Sequence, residues 1–306
     1  MFISVLAVCF NEEQILPFFL RHYEKFADRI TVYDNYSTDG SWDVLNSHPL
    51  VQAVRYDTGG LLSNDTFLSI KNHSWKKDVG GTDWQVVCDI DELIWHHDIR
   101  ALLARYDSEG VTFPRVAGFN MAHDRFPEGD PRQLWEFIKL GAPFYRPSFN
   151  KRAVFKPTER NLKRKGLRDI NYRPGCHSCA PDGTVVESGR TDIRLLHYRC
   201  FGPEHGIARA RLNLDRMAAP RNESGTRSWY QNQIKDYEKF AQLNKIYDVF
   251  GPDVDLNAVF VRGGNKTRTV KHRAGQVPHV PAALMGGDGD AAVPVPLRLK
   301  GLRGVK

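Results

Sequence analysis

Trp84-Gln85-Val86-Val87-Cys88-Asp89-Ile90-Asp91-Glu92 is the stretch on which the fold of this chain turns. Trp84 to Cys88 reads as a buried strand, and it runs straight into three acids. Asp89 and Asp91 alternate with Ile90, so in extended geometry they point the same way. Two carboxylates converging at a strand end repel each other unless a cation sits between them. A polar loop, or caps for a following helix, would account for the same residues. The surrounding sequence has to decide.

Working outward, the first hundred residues alternate between apolar strands and helix-like stretches. Phe2 to Phe10 reads as a strand. A helix then opens at Asn11-Glu12-Glu13 and runs to about Phe26, with Ile15, Phe18, Phe19 and Tyr23 spaced for one face. Arg29 to Asp34 and Val51 to Tyr56 read as strands, with a helix over Trp42 to Ser47 between them. Asp65 to Val79 reads as a longer helix before the acidic strand. Such alternation predicts an α/β fold, a mostly parallel central sheet flanked by helices. Ligands of such sheets gather at the carboxyl ends of the strands. Three polar clusters fall at those ends: Asn11-Glu12, Asp34-Asn35 and Asp89-Asp91. Beyond Asp98 the pattern loosens. Strands are expected over Val111–Ala122, Lys151–Pro157 and Asp192–Tyr198, and helices over Glu204–Met217 and Ser228–Phe250.

Composition fits an ordinary globular chain, at 41% hydrophobic and 26% charged residues. No run approaches the roughly 20 apolar residues of a membrane span. The apolar start meets Asn11-Glu12-Glu13 at once, which suits a first core strand and predicts a cytoplasmic protein. The formal charge is +7, but residues 263–306 hold eight Lys/Arg and two Asp, so residues 1–262 carry only +1. That distribution argues against a nucleic-acid partner. The segment is rich in Gly, Pro and Ala and reads as a disordered basic tail, able at most to make weak peripheral contact with an anionic membrane face. One domain is expected over 1–262, with a nucleotide-binding half about 1–100 and an acceptor-side half about 101–262. Cys9 and Cys88 read as reduced core residues.

Three motifs in order, Val5-Leu6-Ala7-Val8-Cys9-Phe10-Asn11-Glu12, Tyr33-Asp34-Asn35-Tyr36-Ser37-Thr38-Asp39-Gly40-Ser41 and Asp89-Ile90-Asp91-Glu92, resemble the glycosyltransferase family 2 superfamily. The Asp-Ile-Asp-Glu form, followed by the later His197-Tyr198, is closer to a bacterial branch related to glycosyltransferase family 92. The resemblance is good over residues 1–100, thinner from 145 to 215, and absent in the tail. It implies the GT-A nucleotide-diphospho-sugar transferase fold. It also implies a metal-dependent enzyme that moves a hexose from a UDP-sugar to a saccharide or lipid-linked acceptor, with inversion, in bacterial surface glycan synthesis. The chemistry agrees: breaking the sugar–phosphate bond develops negative charge, which Mn2+ or Mg2+ held by carboxylates can neutralise.

The resemblance assigns roles residue by residue. Asp91 binds the metal directly, Asp89 reaches the ribose or a metal-bound water, and His197 completes the metal shell. Backbone around Ala7 to Asn11 lines the uracil pocket. Glu12 lies near the ribose or caps the first helix, and Asp34 accepts from a base nitrogen or a ribose hydroxyl. Lys71 and Asn72 face the diphosphate, unless Lys71 is simply solvated. Glu92 supports the metal or caps a helix. His177 sits on the acceptor side. No segment reproduces the family's usual Glu-Asp pair, which leaves Asp124 as the candidate general base. Cys176-His177-Ser178-Cys179, with Cys200 and His205, would alternatively suit zinc. Two rival functions stand beside the transferase: a nucleotidyltransferase acting on sugar phosphates, and a non-catalytic carbohydrate-binding protein.

Overall fold

A computed structural model describes residues 1–143, 150–157, 167–176, 178–217 and 247–262. Among them the chain divides into two compact units. The first takes Met1–Phe119, Pro143–His197 and the helix Leu256–Arg262, and the second takes Asn120–Ala142 and Tyr198–Asp255. The basic tail and His177 lie outside the described residues. Among the described residues no helix is long and apolar enough to cross a membrane.

The first unit is built on the expected sheet. Its strands are β1 (Ile3–Cys9), β2 (Arg29–Asp34), β3 (Val51–Arg55), β4 (Trp84–Asp89) and β8 (Val154–Phe155), in the order β3-β2-β1-β4-β8. β1 to β4 run parallel, and β8 joins antiparallel at the edge of β4. β1 lies between β2 and β4 and is buried along almost its whole length, which is why it reads as a near-continuous apolar run. Register fixes the faces. Val8 pairs with Asp89, and the next residue, Cys9, pairs with Asp34. Asp34 and Asp89 therefore end their strands on opposite faces of the sheet.

Several boundaries depart from the expected ones for local reasons. The first helix, α1, is Leu16–Tyr23 and not a helix from Asn11. Asn11 takes a left-handed φ of 52°, which asparagine tolerates, and its side chain bonds Thr38 instead of starting a helix. α2 is Ser41–Ser47. α3 covers Asn64–His73, capped by Ser63 accepting from the Thr66 amide, and gives way to a 3-10 turn at Ser74–Asp78. Two elements near the acidic turn were not anticipated. β5 (Glu92–Trp95) follows β4 after a two-residue turn, and α4 (Ile99–Glu109) runs from an Asp98 cap to a left-handed Gly110.

β6 (Phe113–His123) and β11 (Glu187–Phe201) each begin in the first unit and run on into the second. Within the first unit β11 pairs antiparallel with β5, placing His197 opposite Glu92. Only Val154–Phe155 of the expected strand Lys151–Pro157 is regular, and β9 (Leu167–Asp169) pairs antiparallel with β10 (Asp182–Gly183) as a separate ribbon. The second unit holds the short helix α5 (Leu134–Phe137), β7 (Leu140–Pro143, whose Pro143 belongs to the first unit), α6 (Gly202–Asp215) and β12 (Tyr247–Asp248). β12 pairs with β7, which overturns the end of the helix expected over Ser228–Phe250; residues 228–246 lie outside the described residues. Gly202 links β11 to α6 at a φ of 79°, and a Cβ there would run into the Asp124 carbonyl.

α1 clamps β5. The His22 Nε2–H donates to the Ile94 carbonyl at 2.9 Å. The Tyr23 hydroxyl donates to the Glu92 carbonyl at 2.9 Å and accepts from the Ile94 amide at 3.1 Å. Burial lowers the His22 pKa from 6.5 to about 4, so the ring is neutral at neutral pH. A depressed histidine contributes stability above its unfolded pKa and loses it on acidification. The protein should therefore lose up to about 3 kcal/mol between pH 6.5 and pH 4 from this ring. His22→Gln, followed by urea unfolding across that range, should flatten this part of the slope; an unchanged slope would show that His22 is not the titrating group.

Candidate functional site

The carboxyl end of β4 carries a buried charge cluster. Asp89 is gripped from two sides: Lys71, from α3, donates to one carboxylate oxygen, and Lys151 donates to the other at 2.5 Å. Lys151 also pairs with Glu92 at 2.6 Å. Glu92 in turn accepts from the Asp89 amide at 3.0 Å, closing the turn between β4 and β5. Both ammonium groups and Glu92 are buried, while the Asp89 side chain keeps 35% exposure. Two positive and two negative groups balance, which is the condition for burying charge at all. Glu92 begins a strand, so the helix-cap reading of that residue falls.

The electrostatics follow from the geometry. Burial pushes both lysines toward the neutral amine, and Asp89 more than reverses this, so both ammonium groups are held above the ordinary 10.5. Burial likewise raises Asp89, but Lys151 and then Lys71 outweigh it and hold the carboxyl well below the ordinary 3.8. The raised lysines contribute stability below 10.5 that is lost as pH climbs through their folded values. The lowered aspartate contributes stability above 3.8 that is lost as pH falls through its own. Between those limits the cluster is intact.

Asp91 occupies the turn and not an extended strand. It faces His197, with Oδ2 and Nε2 3.3 Å apart and both side chains partly exposed. Strand β11 thus brings His197 to the acidic turn, as the later His-Tyr element implied. A carboxylate oxygen and an imidazole nitrogen this close, on partly exposed side chains, are donor types that suit a divalent cation such as Mn2+. Asp89 does not fit as a direct ligand, because each of its oxygens already accepts from an ammonium group. Among the described residues no three His, Cys, Asp or Glu side chains gather around one point.

The loops after β1 and β2 are knitted together, and this changes several expected roles. Asp34 is fully buried and accepts from both the amide and the hydroxyl of Ser37, so it shapes a turn and is not presented to a ligand. Ala7 lies in mid-strand with no exposure. Asn11 accepts from the Thr38 amide at 2.8 Å, and the Glu12 amide donates to Ser41 at 2.8 Å. Asn72 holds the backbone of Tyr172 at 2.7 and 3.2 Å and does not face a phosphate. Lys71 is neither solvated nor free for a diphosphate, being committed to Asp89. Asp124 is 60% exposed in the second unit, 3.3 Å from His123. Cys176 packs into a core cluster with Phe155, Ile170 and Tyr172. Cys9 and Cys88 are buried free thiols, as expected.

Two residues escaped the sequence reading. Lys151 gave no local signal, since it sits in a segment with little regular structure. Tyr36 did leave a trace, as a large residue where a turn of this kind favours glycine. It holds a φ of 51°, is 49% exposed, and lies over the Arg55 guanidinium at 4.8 Å; Arg55 in turn lies 4.1 Å from the Trp42 ring.

No family model matches the chain, and no curated protein matches it by sequence. Among solved structures, S. aureus TarS residues 1-349 are similar at 13% identity, covering 86% of this chain and 81% of that one with a TM-score of 0.39. The same protein in complex with UDP-GlcNAc is similar at 11% identity, covering 86% and 79% with a TM-score of 0.37. A 4-diphosphocytidyl-2C-methyl-D-erythritol synthase from Anaerococcus prevotii DSM 20548 is similar at 11% identity over 51% of this chain and 70% of that one, TM-score 0.29. Likenesses of this size establish neither family nor activity, so the chemistry rests on the side chains.

Lys151→Met should destabilise the protein by about 3–5 kcal/mol, because it strands the buried Glu92 carboxylate and half-releases Asp89. Asp91→Asn should cost under about 1 kcal/mol, since Asp91 is partly exposed and its ion pair with His197 is partly open to solvent. Paired urea titrations at pH 7 check both. Equal losses would show that the acidic turn is not organised around Lys151.

Proposed function

We propose that this chain is a glycosyltransferase that moves a hexose from a UDP-sugar to a saccharide or lipid-linked acceptor, with inversion. One observation carries the reading: the partly exposed Asp91–His197 pair lies close in sequence to an Asp89 fixed by two buried lysines, at the carboxyl end of a parallel sheet. The three motifs at successive strand ends support it. Asp91 and His197 would hold a divalent ion, Mn2+ or Mg2+, which when bound supplies positive charge against the departing diphosphate. Asp89 presents its exposed edge to the donor and is kept ionised and unable to rotate by Lys71 and Lys151. Tyr36, backed by Arg55, offers a flat face beside the β2 loop on which a uracil ring can stack.

A screen of UDP- and GDP-sugars for nucleotide release, with and without Mn2+, tests the activity. UDP release that depends on Mn2+ is expected. Release of pyrophosphate from UTP or GTP in a parallel incubation with a sugar 1-phosphate would point to nucleotidyl transfer, and no release or nucleotide binding with any donor would leave a carbohydrate-binding protein. Asp91→Asn should lower turnover at least 100-fold with little change in melting temperature, about 2.7 kcal/mol of barrier. His197→Ala should weaken Mn2+ binding by calorimetry about tenfold or more, a readout independent of turnover. An unchanged Mn2+ isotherm in folded His197→Ala would remove it from the metal site.

A further inference from the structure

The face of the first unit's sheet that carries Asp89 changes character toward the other end of its strands. There, beneath the 3-10 turn Ser74–Asp78, a cavity of about 230 Å3 opens against Ser4, Thr31, Gln52 and Gln85, one residue from each of β1 to β4. Register puts these four on one face: Ser4 pairs with Gln85, Thr31 with Gln52, and Thr31 also with Leu6, two residues along from Ser4. The covered face of a parallel sheet is ordinarily apolar. Four hydroxyl and amide side chains in a contiguous row are a departure that needs a physical account.

Two atoms sharpen it. The Thr31 hydroxyl and the Trp75 indole N–H are both buried, neither has a hydrogen-bond partner among the described residues, and both residues line this cavity. Thr31 is 8% exposed and Trp75 2%. An unsatisfied buried polar group costs about 1–3 kcal/mol, so two such groups on residues that line one cavity, beside the polar row, call for a physical account. The charged residues of the lining are Lys77, which is exposed, and Asp78, whose carboxylate pairs with Arg29 at 3.0 Å. The occupant is therefore neutral. Tyr33 and Trp75 add aromatic walls. Donors and acceptors mixed with aromatic faces match a compound bearing several hydroxyls on a carbon frame. The volume equals that of about eight water molecules, the scale of a monosaccharide.

We propose that this cavity is a second binding site, for a neutral polyol of monosaccharide size, separate from the charged turn at the carboxyl ends. Its mouth passes the exposed Gln52 on β3, the edge strand of the sheet. Along β4, Gln85 and Asp89 are four residues apart, about 13 Å at strand rise. The inference does not rest on the transferase reading and holds for a protein of any activity.

The test follows the Trp75 indole N–H by two-dimensional NMR of the full chain, assigned with Trp75→Phe, during titration with glucose, myo-inositol and glycerol. A saturable shift is expected with at least one of them. Thr31→Val should weaken that binding tenfold or more, yet raise the melting temperature of the unliganded protein by removing an unpaired hydroxyl. Thr31→Ser, which keeps the hydroxyl, should bind as wild type. Asp91→Asn should leave the shift intact. No saturable shift with any polyol, or a melting temperature lowered by Thr31→Val, would show that the cavity holds water alone and overturn the proposal. A shift lost in Asp91→Asn but kept in Thr31→Val would place the sugar at the carboxyl-end site and overturn it equally.

Discussion

The rest of the first unit depends on the ionic contact between Lys151 and the two carboxylates on either side of the β4–β5 turn. A buried Glu92 would be intolerable alone, and a strand that ended in Asp89 with no counter-charge would be pulled toward water. Lys151 answers both, and Lys71 from α3 completes the balance. Because the four groups come from α3, β4, β5 and the segment before β8, their neutrality can be reached only when those elements have docked. The cluster thus ties local turn geometry to tertiary assembly. Asp91 stands outside that four-group balance, with the partly exposed His197 3.3 Å away.

A second constraint runs through α1. His22 and Tyr23 give their polar atoms to the backbone of β5, so the helix docks by hydrogen bonds as well as by its apolar side chains. Both groups are buried in the neutral state, where a missing partner would be expensive. The strand that receives them is the one that β11 then extends, and β11 carries His197. Helix, strand and histidine form a chain of dependence that ends at the acidic turn.

The two faces of the parallel sheet divide the labour. On one, Asp34 is sunk beneath its own loop and spends both oxygens on Ser37. On the other, Asp89 stands at the carboxyl end and a polar row lies toward the opposite end. That division follows from a one-residue difference in register between Cys9 and Val8. Strand ends that look equivalent in sequence are thereby given different work.

The sequence by itself determined the alternation of β1 to β4 with their helices, since a buried parallel strand must be apolar along its length and a helix must show its own period. The same physics made the acids at 89, 91 and 92 conspicuous. It could not reveal β5, because Glu92-Leu93-Ile94-Trp95 is too short for a period to register and draws its stability from His22, Tyr23 and β11. Nor could it find Lys151, whose charge is meaningful only beside carboxylates about 60 residues earlier in the chain. Only the tertiary structure decided that Asp34, Asn72 and Ala7 are spent on the scaffold while Asp91 and His197 face outward together. A carboxylate or an amide has the same sequence signature whether its oxygen meets a backbone amide or a ligand. What separates the two is which donors the fold brings within about 3 Å, and no local pattern encodes that distance.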